Sequence, residues 1–197
     1  MRIQHAPFAK IVDRQATAIC ARVDLSAEAK ALLVEDLSPQ GFLSVLTLNE
    51  RWADAIRYLA FALPPREAIW WACVVCRSIG SAVDARSESC LASAERWVFQ
   101  PSEAAGRTCY AAAEALKFDG APAYAALAAF WTGPSLAPEG LPPVAPDPSL
   151  CPTGAGASVL LAVAGDGPQR SADLYRMAIS SAVDIANGGN GQAGAGR

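Results

Sequence analysis

The clearest pattern of apolar and polar positions lies in the second quarter of the chain. The preceding Thr47-Leu-Asn-Glu50 has the form of a capping box, whose threonine and glutamate side chains bind each other's backbone N–H groups. Four apolar residues then follow at spacings of four, three and four, which places them on one face of an α-helix: Trp52, Ile56, Leu59 and Leu63. We therefore predict a helix that begins at this box and ends before Pro64-Pro65.

The segment after the two prolines is apolar on nearly every side. Proline suits the first position of a helix and glycine suits the position after its end, so a helix is predicted from Pro65 to about Ile79, with Gly80 as its stop. A helix without a continuous polar face is usually the buried centre of a bundle. The apolar residues that indicate this role are Ile69, Trp70, Trp71, Cys73, Val74, Val75 and Cys76.

Start signals and helical spacing predict further helices on both sides of this centre. They cover approximately residues 14–22, 26–36, 84–99, 101–117, 121–131 and 167–186, and a turn or two of helix is expected at 38–46. The predicted fold class is all-α, a single-domain bundle of about seven to eight helices. Glu50-Arg51-Trp52 recurs as Glu95-Arg96-Trp97, so two loose helical-hairpin repeats are an alternative to an ordinary bundle.

Residues 133–156 interrupt the helical pattern. Half of the fourteen prolines lie between Pro134 and Pro152, which predicts a Pro/Gly-rich strap across the bundle rather than a regular element. The run 159–164 is compatible with either a helix or a strand. The expected domain spans residues 1–187, and the Gly-rich residues 188–197 are expected to be a disordered tail.

Composition narrows the class of protein. Hydrophobic residues make up 52% of the chain, charged residues 18%, and the mean hydropathy is +0.21. Even so, no apolar stretch approaches the roughly 20 residues that a membrane-spanning helix needs, and no signal peptide is evident. We expect a cytoplasmic protein without membrane insertion. The net charge is −3 and the basic residues are scattered, so nucleic-acid binding is not expected.

Candidate chemistry is sparse. The six cysteines lie mostly in apolar, helix-like surroundings, so we interpret them as reduced core residues. Cys73-Val-Val-Cys76 has the spacing of a redox motif, but Cys73 lies about two turns inside its predicted helix, away from the helix start that would lower a thiol pKa. A lone histidine, His5, and the incomplete glycine pattern Gly165-Asp-Gly167 complete no catalytic or nucleotide site. No catalytic residue, metal ligand or cofactor is predicted.

Charged residues surround the most apolar segment, and they have two interpretations. They either form ion pairs at helix ends or form a patch that recognises the acidic tail of a partner protein. In the second interpretation one of the two adjacent tryptophans reaches the interface, where tryptophan is favoured. The candidate protein-binding residues are Arg51, Asp54, Arg57, Arg66, Glu67, Trp70, Trp71 and Arg77.

The same region carries a family resemblance. The pattern Leu63-Pro-x-Arg66-Glu67-Ala68-x-Trp70-Trp71-Ala72-Cys73 resembles an uncharacterised bacterial family that is associated with type VI secretion gene clusters. Residues 19–26 and the proline-rich segment are similar to that family as well. The resemblance implies only a genomic neighbourhood, and it gives no catalytic residues to carry over to this chain.

These observations favour a non-enzymatic accessory or adaptor protein that binds another protein, in a type VI secretion context. One alternative is a small metal- or thiol-dependent enzyme or redox protein that uses the central cysteines. Another is a structural homo-oligomer.

Overall fold

Helices account for all the regular structure in the described part of the chain. The computed structural model describes residues 7–81, 84–138, 140–164 and 168–192, and these contain ten helices, eight of them with ten residues or more. The helices are α1 (Ala16–Cys20), α2 (Ala27–Ala31), α3 (Pro39–Leu48), α4 (Trp52–Ala62), α5 (Pro65–Ile79), α6 (Ala85–Phe99), α7 (Glu103–Ala115), α8 (Gly120–Phe130), α9 (Leu150–Val163) and α10 (Pro168–Ala186). The predicted all-α, single-domain fold is confirmed.

Helix α5 is the centre of the bundle, as its apolar pattern predicts. It packs against α4, α6, α8, α9 and α10, and the side chains of Trp71, Cys73 and Cys76 are fully buried. Its bounds are those predicted from Pro65 and Gly80. Gly80 adopts a left-handed conformation with φ of 74°, which glycine reaches without the steric cost of a side chain, so the chain turns away at that point.

Helices α8 and α9 approach each other closely because small residues line their contact. The helix α8 is rich in buried alanine, and Gly154 of α9 lies where a side chain would not fit. A Cβ atom at Gly154 would stand 2.7 Å from the Trp131 ring, and one at Gly156 would stand 3.2 Å from the Ala60 Cβ. The glycines therefore allow α9 to lie against both α8 and α4.

The N-terminal segment folds back over the end of the last helix. The backbone N–H of Lys10 donates to the Ala186 carbonyl at 2.9 Å, and the Lys10 Nζ pairs with Glu67 at 3.0 Å. Further along, the N–H of Ala16 donates to the Leu37 carbonyl, and α1 then packs against α3 and α4. Residues 7–25 thus form an outer wall beside α4.

The predicted capping box is wrong because α3 continues farther than its pattern suggests. Thr47 lies inside α3, where its Oγ1 donates to the Ser44 carbonyl. The N–H of Arg51 reaches back to the Leu46 carbonyl, and Glu50 adopts φ of 55°. This geometry closes the end of α3, and α4 then begins at Trp52 without a side-chain cap.

The predicted strap is shorter than expected, since α9 begins at Leu150 and continues through Val163. Pro152 lies in the first turn, where the missing N–H of proline breaks no helical hydrogen bond, and the following glycines serve packing. The run 159–163 is therefore helix. Before it, Ser135 Oγ accepts the N–H groups of Ala137 and Val144, which ties the proline-rich loop to itself.

The start of the expected disordered tail is a structured turn. The N–H of Gly191 donates to the Asp184 carboxylate at 2.8 Å, and the Asn190 carbonyl accepts from the Trp70 indole at 2.9 Å. Residues 193–197 lie outside the described residues.

The two copies of the suspected repeat occupy different positions in their helices. Trp52 is the first residue of α4, whereas Trp97 is close to the end of α6. The recurring tripeptide is therefore not a structural repeat.

No helix among the described residues combines the length and the hydrophobicity that crossing a bilayer would require.

Candidate functional site

The first three residues of the predicted protein-binding patch, all on α4 or at its start, have different roles. Asp54 is buried and accepts hydrogen bonds from the N–H of Ser26 at 2.9 Å and from its Oγ at 2.7 Å. Arg57 lies 3.5 Å from the same carboxylate, and Arg51 is exposed at the helix start. Asp54 therefore anchors the α2 cap to α4, and its side chain is not accessible to a partner.

Arg66, Glu67 and Trp70 come together at a shallow hollow of about 350 Å³. Glu67 pairs with Lys10, and the Trp70 indole N–H is used by the Asn190 carbonyl. Trp70 also contacts Phe99 edge to face, with 5.8 Å between the ring centroids. Arg66 is exposed beside these groups. This hollow thus lies where the N-terminal segment, α5 and the turn after α10 meet.

The other two predicted residues of α5 are not at this hollow. Trp71 is fully buried, and its Nε1 donates to the Ala178 carbonyl at 2.8 Å. Arg77 is near the far end of the helix, where it binds both Glu88 and Glu95 of α6. These hydrogen bonds raise the pKa of Arg77 and lower that of Glu88. Arg77 therefore joins two helices, as the ion-pair interpretation expects.

The central thiols lie in surroundings that suppress their reactivity. Burial raises the pKa of Cys73 well above its ordinary value, and burial also raises the pKa of Cys76, whose Sγ lies 3.5 Å from Ser158 Oγ. Burial raises the pKa of Cys109 to about 11. A reactive cysteine needs the opposite shift, because the thiolate is the nucleophile and the metal ligand.

The described residues contain no cluster of side chains suited to a metal ion. Within the described ranges, no three His, Cys, Asp or Glu side chains lie close enough together to hold a metal ion. His5 and the Gly165-Asp-Gly167 pattern lie outside the described residues.

A larger hollow, which no sequence pattern predicted, opens beside the end of α4. It has a volume of about 630 Å³ and three walls. The N-terminal segment forms the first wall with Val12, Asp13 and Arg22. Residues 60–65 at the end of α4, together with Ala68, form the second wall. Residues 147–149 and Pro152 form the third. Most of these residues are apolar. Among them, Val12 is 84% exposed to solvent.

A second hollow of about 540 Å³ adjoins the first. The two share Phe61 and Pro152, and the second is lined by residues 23–26, by Arg57 and by the α9 residues as far as Leu160. We call the two hollows together the Phe61 groove. Of the eight predicted protein-binding residues, only Arg57 is among the described residues that line this groove.

The larger hollow of the Phe61 groove has charged side chains on two of its walls. Arg22 Nη2 lies 2.6 Å from Asp13 Oδ2 and 3.5 Å from the Phe61 carbonyl oxygen. Asp147 lies on the opposite wall, where its carboxylate accepts from the N–H and Oγ of Ser149. These hydrogen bonds lower the pKa of Asp147, so this wall carries a negative charge at neutral pH.

The sequence contains one signal for this site, the Pro64-Pro65 pair that ends α4. It contains no comparable signal for the outer wall, because that wall depends on the N-terminal segment folding back to Ala186.

Comparison with known proteins gives the chain a family. No curated protein and no solved structure matches it. A family model, described as a family of unknown function (DUF6931), matches residues 42–186, which include helices α4 to α10 and exclude the outer wall of the Phe61 groove. The chain therefore belongs to the DUF6931 family, a family of unknown function.

Proposed function

We propose that this protein is a non-enzymatic accessory protein that binds a segment of another protein in the Phe61 groove. The observation that carries the proposal is the pair of adjoining hollows at the end of α4, of which the larger has mostly apolar walls and the second has apolar and polar ones. Apolar surface that stays open to solvent in a folded domain commonly marks an interaction site, especially where polar groups border it.

The size of the groove favours a protein segment over a small molecule. The hollows measure about 630 Å³ and 540 Å³ and share Phe61 and Pro152, so one ligand can extend through both. Together they exceed the roughly 300–1,000 Å³ of a drug-sized ligand site. An extended peptide segment with successive apolar side chains has the length to occupy both.

Burial of the thiols favours binding over thiol chemistry. Cys73, Cys76, Cys90 and Cys109 are fully buried, and burial raises the pKa of each, so their thiolates are scarce at neutral pH. The same thiols serve the packing of α5 against its neighbours.

The cellular setting is part of the proposal. We propose that the protein acts in the cytoplasm and that its partner is a component or a cargo of a type VI secretion system. The support is the resemblance of the segment from Leu63 to Cys73 to a family associated with such gene clusters. The genes that neighbour this one provide a direct check.

Site-specific photo-crosslinking in the native host tests the groove. A photoreactive amino acid replaces Val12 in the groove or, as the matched control, Leu48 at the end of α3, which is 82% exposed and is not among the groove-lining residues. We expect a protein partner to crosslink at position 12 and not at position 48. The purified partner should then bind the Val12→Asn protein about fivefold more weakly than the Leu48→Asn protein, because apolar contact area is lost.

Two results would overturn the proposal. One is the same set of crosslinks from both positions, or none at position 12. The other is a crosslink at position 12 to a second copy of this chain, together with a dimer mass in light scattering, which would support a structural homo-oligomer instead.

A further inference from the structure

The end of α4 presents a backbone acceptor, the Phe61 carbonyl, to the Phe61 groove. In an α-helix each carbonyl oxygen accepts from the N–H four residues later, but the residues four after Ala60 and Phe61 are Pro64 and Pro65. Proline nitrogen carries no hydrogen, so both carbonyls lose their helical donor. Ala60 is fully buried, whereas Phe61 is half-buried and its carbonyl oxygen lies near Arg22 of the larger hollow. The carbonyl end of a helix also carries partial negative charge.

A cation of the chain itself, Arg22, already lies near the Phe61 carbonyl. Arg22 binds Asp13 closely, while its 3.5 Å distance to the Phe61 oxygen is at the limit of a hydrogen bond. The Arg22 side chain is 51% exposed, so it is held at the mouth of the hollow rather than buried in it. Arg22 therefore satisfies the Phe61 carbonyl only in part.

The ionic side chains of the larger hollow carry a net negative charge. They are the carboxylates of Asp13 and Asp147 and the guanidinium of Arg22, which amounts to two negative charges against one positive. The remaining lining is largely apolar, with Val12, Leu63 and Pro148 among its members. A complementary ligand would combine an apolar stem with a cationic group that has several donors, and the arginine side chain has this combination.

We infer that the larger hollow of the Phe61 groove binds an arginine of the partner segment, flanked by apolar residues, in competition with Arg22. The guanidinium donates to the Phe61 carbonyl and to the carboxylates of Asp13 and Asp147, while the apolar neighbours cover the walls on both sides of Phe61. This inference rests on the proposed function, since it names the chemistry of the segment that the groove receives.

Peptide titration of the full-length, ¹⁵N-labelled protein tests the inference by NMR. The probe is a capped peptide of alanine and leucine with one central arginine, and the matched peptides carry citrulline, lysine, leucine or glutamate at that position. We expect amide shifts around the groove and a Kd for the arginine peptide about tenfold below that for the citrulline peptide, which has the same shape without the charge. The glutamate peptide should bind most weakly.

Two groove variants and one control examine the competition. Arg22→Ala removes the competing cation, so it should tighten binding of the arginine peptide about fivefold. Asp13→Asn removes a carboxylate and leaves Arg22 in place, so it should weaken binding by a similar factor. Arg176→Ala is the control, because Arg176 is 55% exposed and paired with an aspartate, as Arg22 is, but is not among the groove-lining residues. The spectrum of each variant verifies that it is folded.

The possible failures are distinguishable. If none of the peptides shifts groove resonances, the docking site itself is wrong and the proposed function loses its support. If the leucine peptide binds as tightly as the arginine peptide, docking stands and the inferred arginine is wrong. A lysine peptide that binds more tightly than the arginine peptide, or an Arg22→Ala protein that binds the arginine peptide more weakly, also overturns the inference.

Discussion

The indole nitrogen of Trp71 donates a hydrogen bond to the Ala178 carbonyl across 2.8 Å, and this bond joins the central helix α5 to the last helix, α10. The neighbouring Trp70 points about 100° away around the helix, as the helical rotation requires, and reaches the Asn190 carbonyl at the surface. Two adjacent tryptophans thus fasten different parts of the C-terminal region to the centre of the bundle.

Replacing Trp71 should therefore destabilise the fold much more than replacing Trp70. Trp71→Ala empties a fully buried site and is expected to lower the free energy of unfolding by about 3–5 kcal/mol. Trp70→Ala acts at a half-buried site and should lower the free energy of unfolding by less than half of that amount. Urea denaturation followed by circular dichroism measures both values, and equal losses would contradict the burial difference between the two side chains.

Gly154 should not tolerate a side chain, although it lies in the middle of a helix. A Cβ atom there would stand 2.7 Å from the Trp131 ring and 3.3 Å from the Ala128 Cβ, so Gly154→Ala is expected to destabilise the protein by about 1–3 kcal/mol. Gly106 is the matched control, because a Cβ atom at that helical glycine would make its nearest contact at 3.7 Å. Thermal unfolding should show Gly106→Ala to be neutral or stabilising, by up to about 1 kcal/mol.

The buried thiols should make the protein less stable in alkaline solution. Burial raises the pKa of Cys109 from 9.0 to about 11, so the folded state holds its proton where the unfolded state has lost it. The stabilisation from this group is fully present below about pH 9 and is lost as the pH rises toward about 11. Each such thiol contributes a slope of at most about 1.4 kcal/mol per pH unit to the free energy of unfolding.

Denaturation at a series of pH values measures this slope, and Cys109→Ala should make it shallower. A water-soluble thiol reagent gives a second readout at neutral pH, where half-buried Cys20 should react before Cys73 and Cys76. Rapid modification of the two central thiols in the native protein would show that α5 is not sheltered.

The buried Asp54 should be energetically coupled to Ser26. Its carboxylate binds both the N–H and the Oγ of Ser26, and the same Oγ caps α2 by accepting from Ala29. Asp54→Ala leaves these donors unsatisfied and is expected to cost about 2–3 kcal/mol, and Ser26→Ala about 1 kcal/mol. The double variant should lose less than the sum, because each single change already breaks the shared bonds. Additive losses in urea denaturation would contradict the coupling.

Local signals were sufficient for most of the bundle. Pro65 and Gly80 delimit α5, and the side chains of Asp84 and Ser102 cap α6 and α7, so these helices could be placed from residues next to them in the sequence. The capping box at Thr47 failed because the same residues can also close the preceding helix, and only the length of α3 decides between the two.

Packing over long sequence distances could not be predicted in this way. Gly154 and Gly156 read as loop residues in the sequence, but their small size serves the contact of α9 with Trp131 and Ala60. The candidate site was predicted in small part, since Arg57 lines the Phe61 groove while Asp54 and Trp71 are buried. The groove itself needs the N-terminal segment beside α4, and no local pattern specifies that placement.

The hydrogen bond between the Lys10 N–H and the Ala186 carbonyl ties the N-terminal segment to the end of α10, which is far from it in sequence. Val12 and Asp13 follow Lys10 directly, so the position of that outer wall is set by an anchor at the end of α10. Unwinding the final turn of α10 would release the anchor and widen the entrance beside Val12. Tags or fusions joined close to residue 186 therefore act on the same entrance that a ligand has to pass.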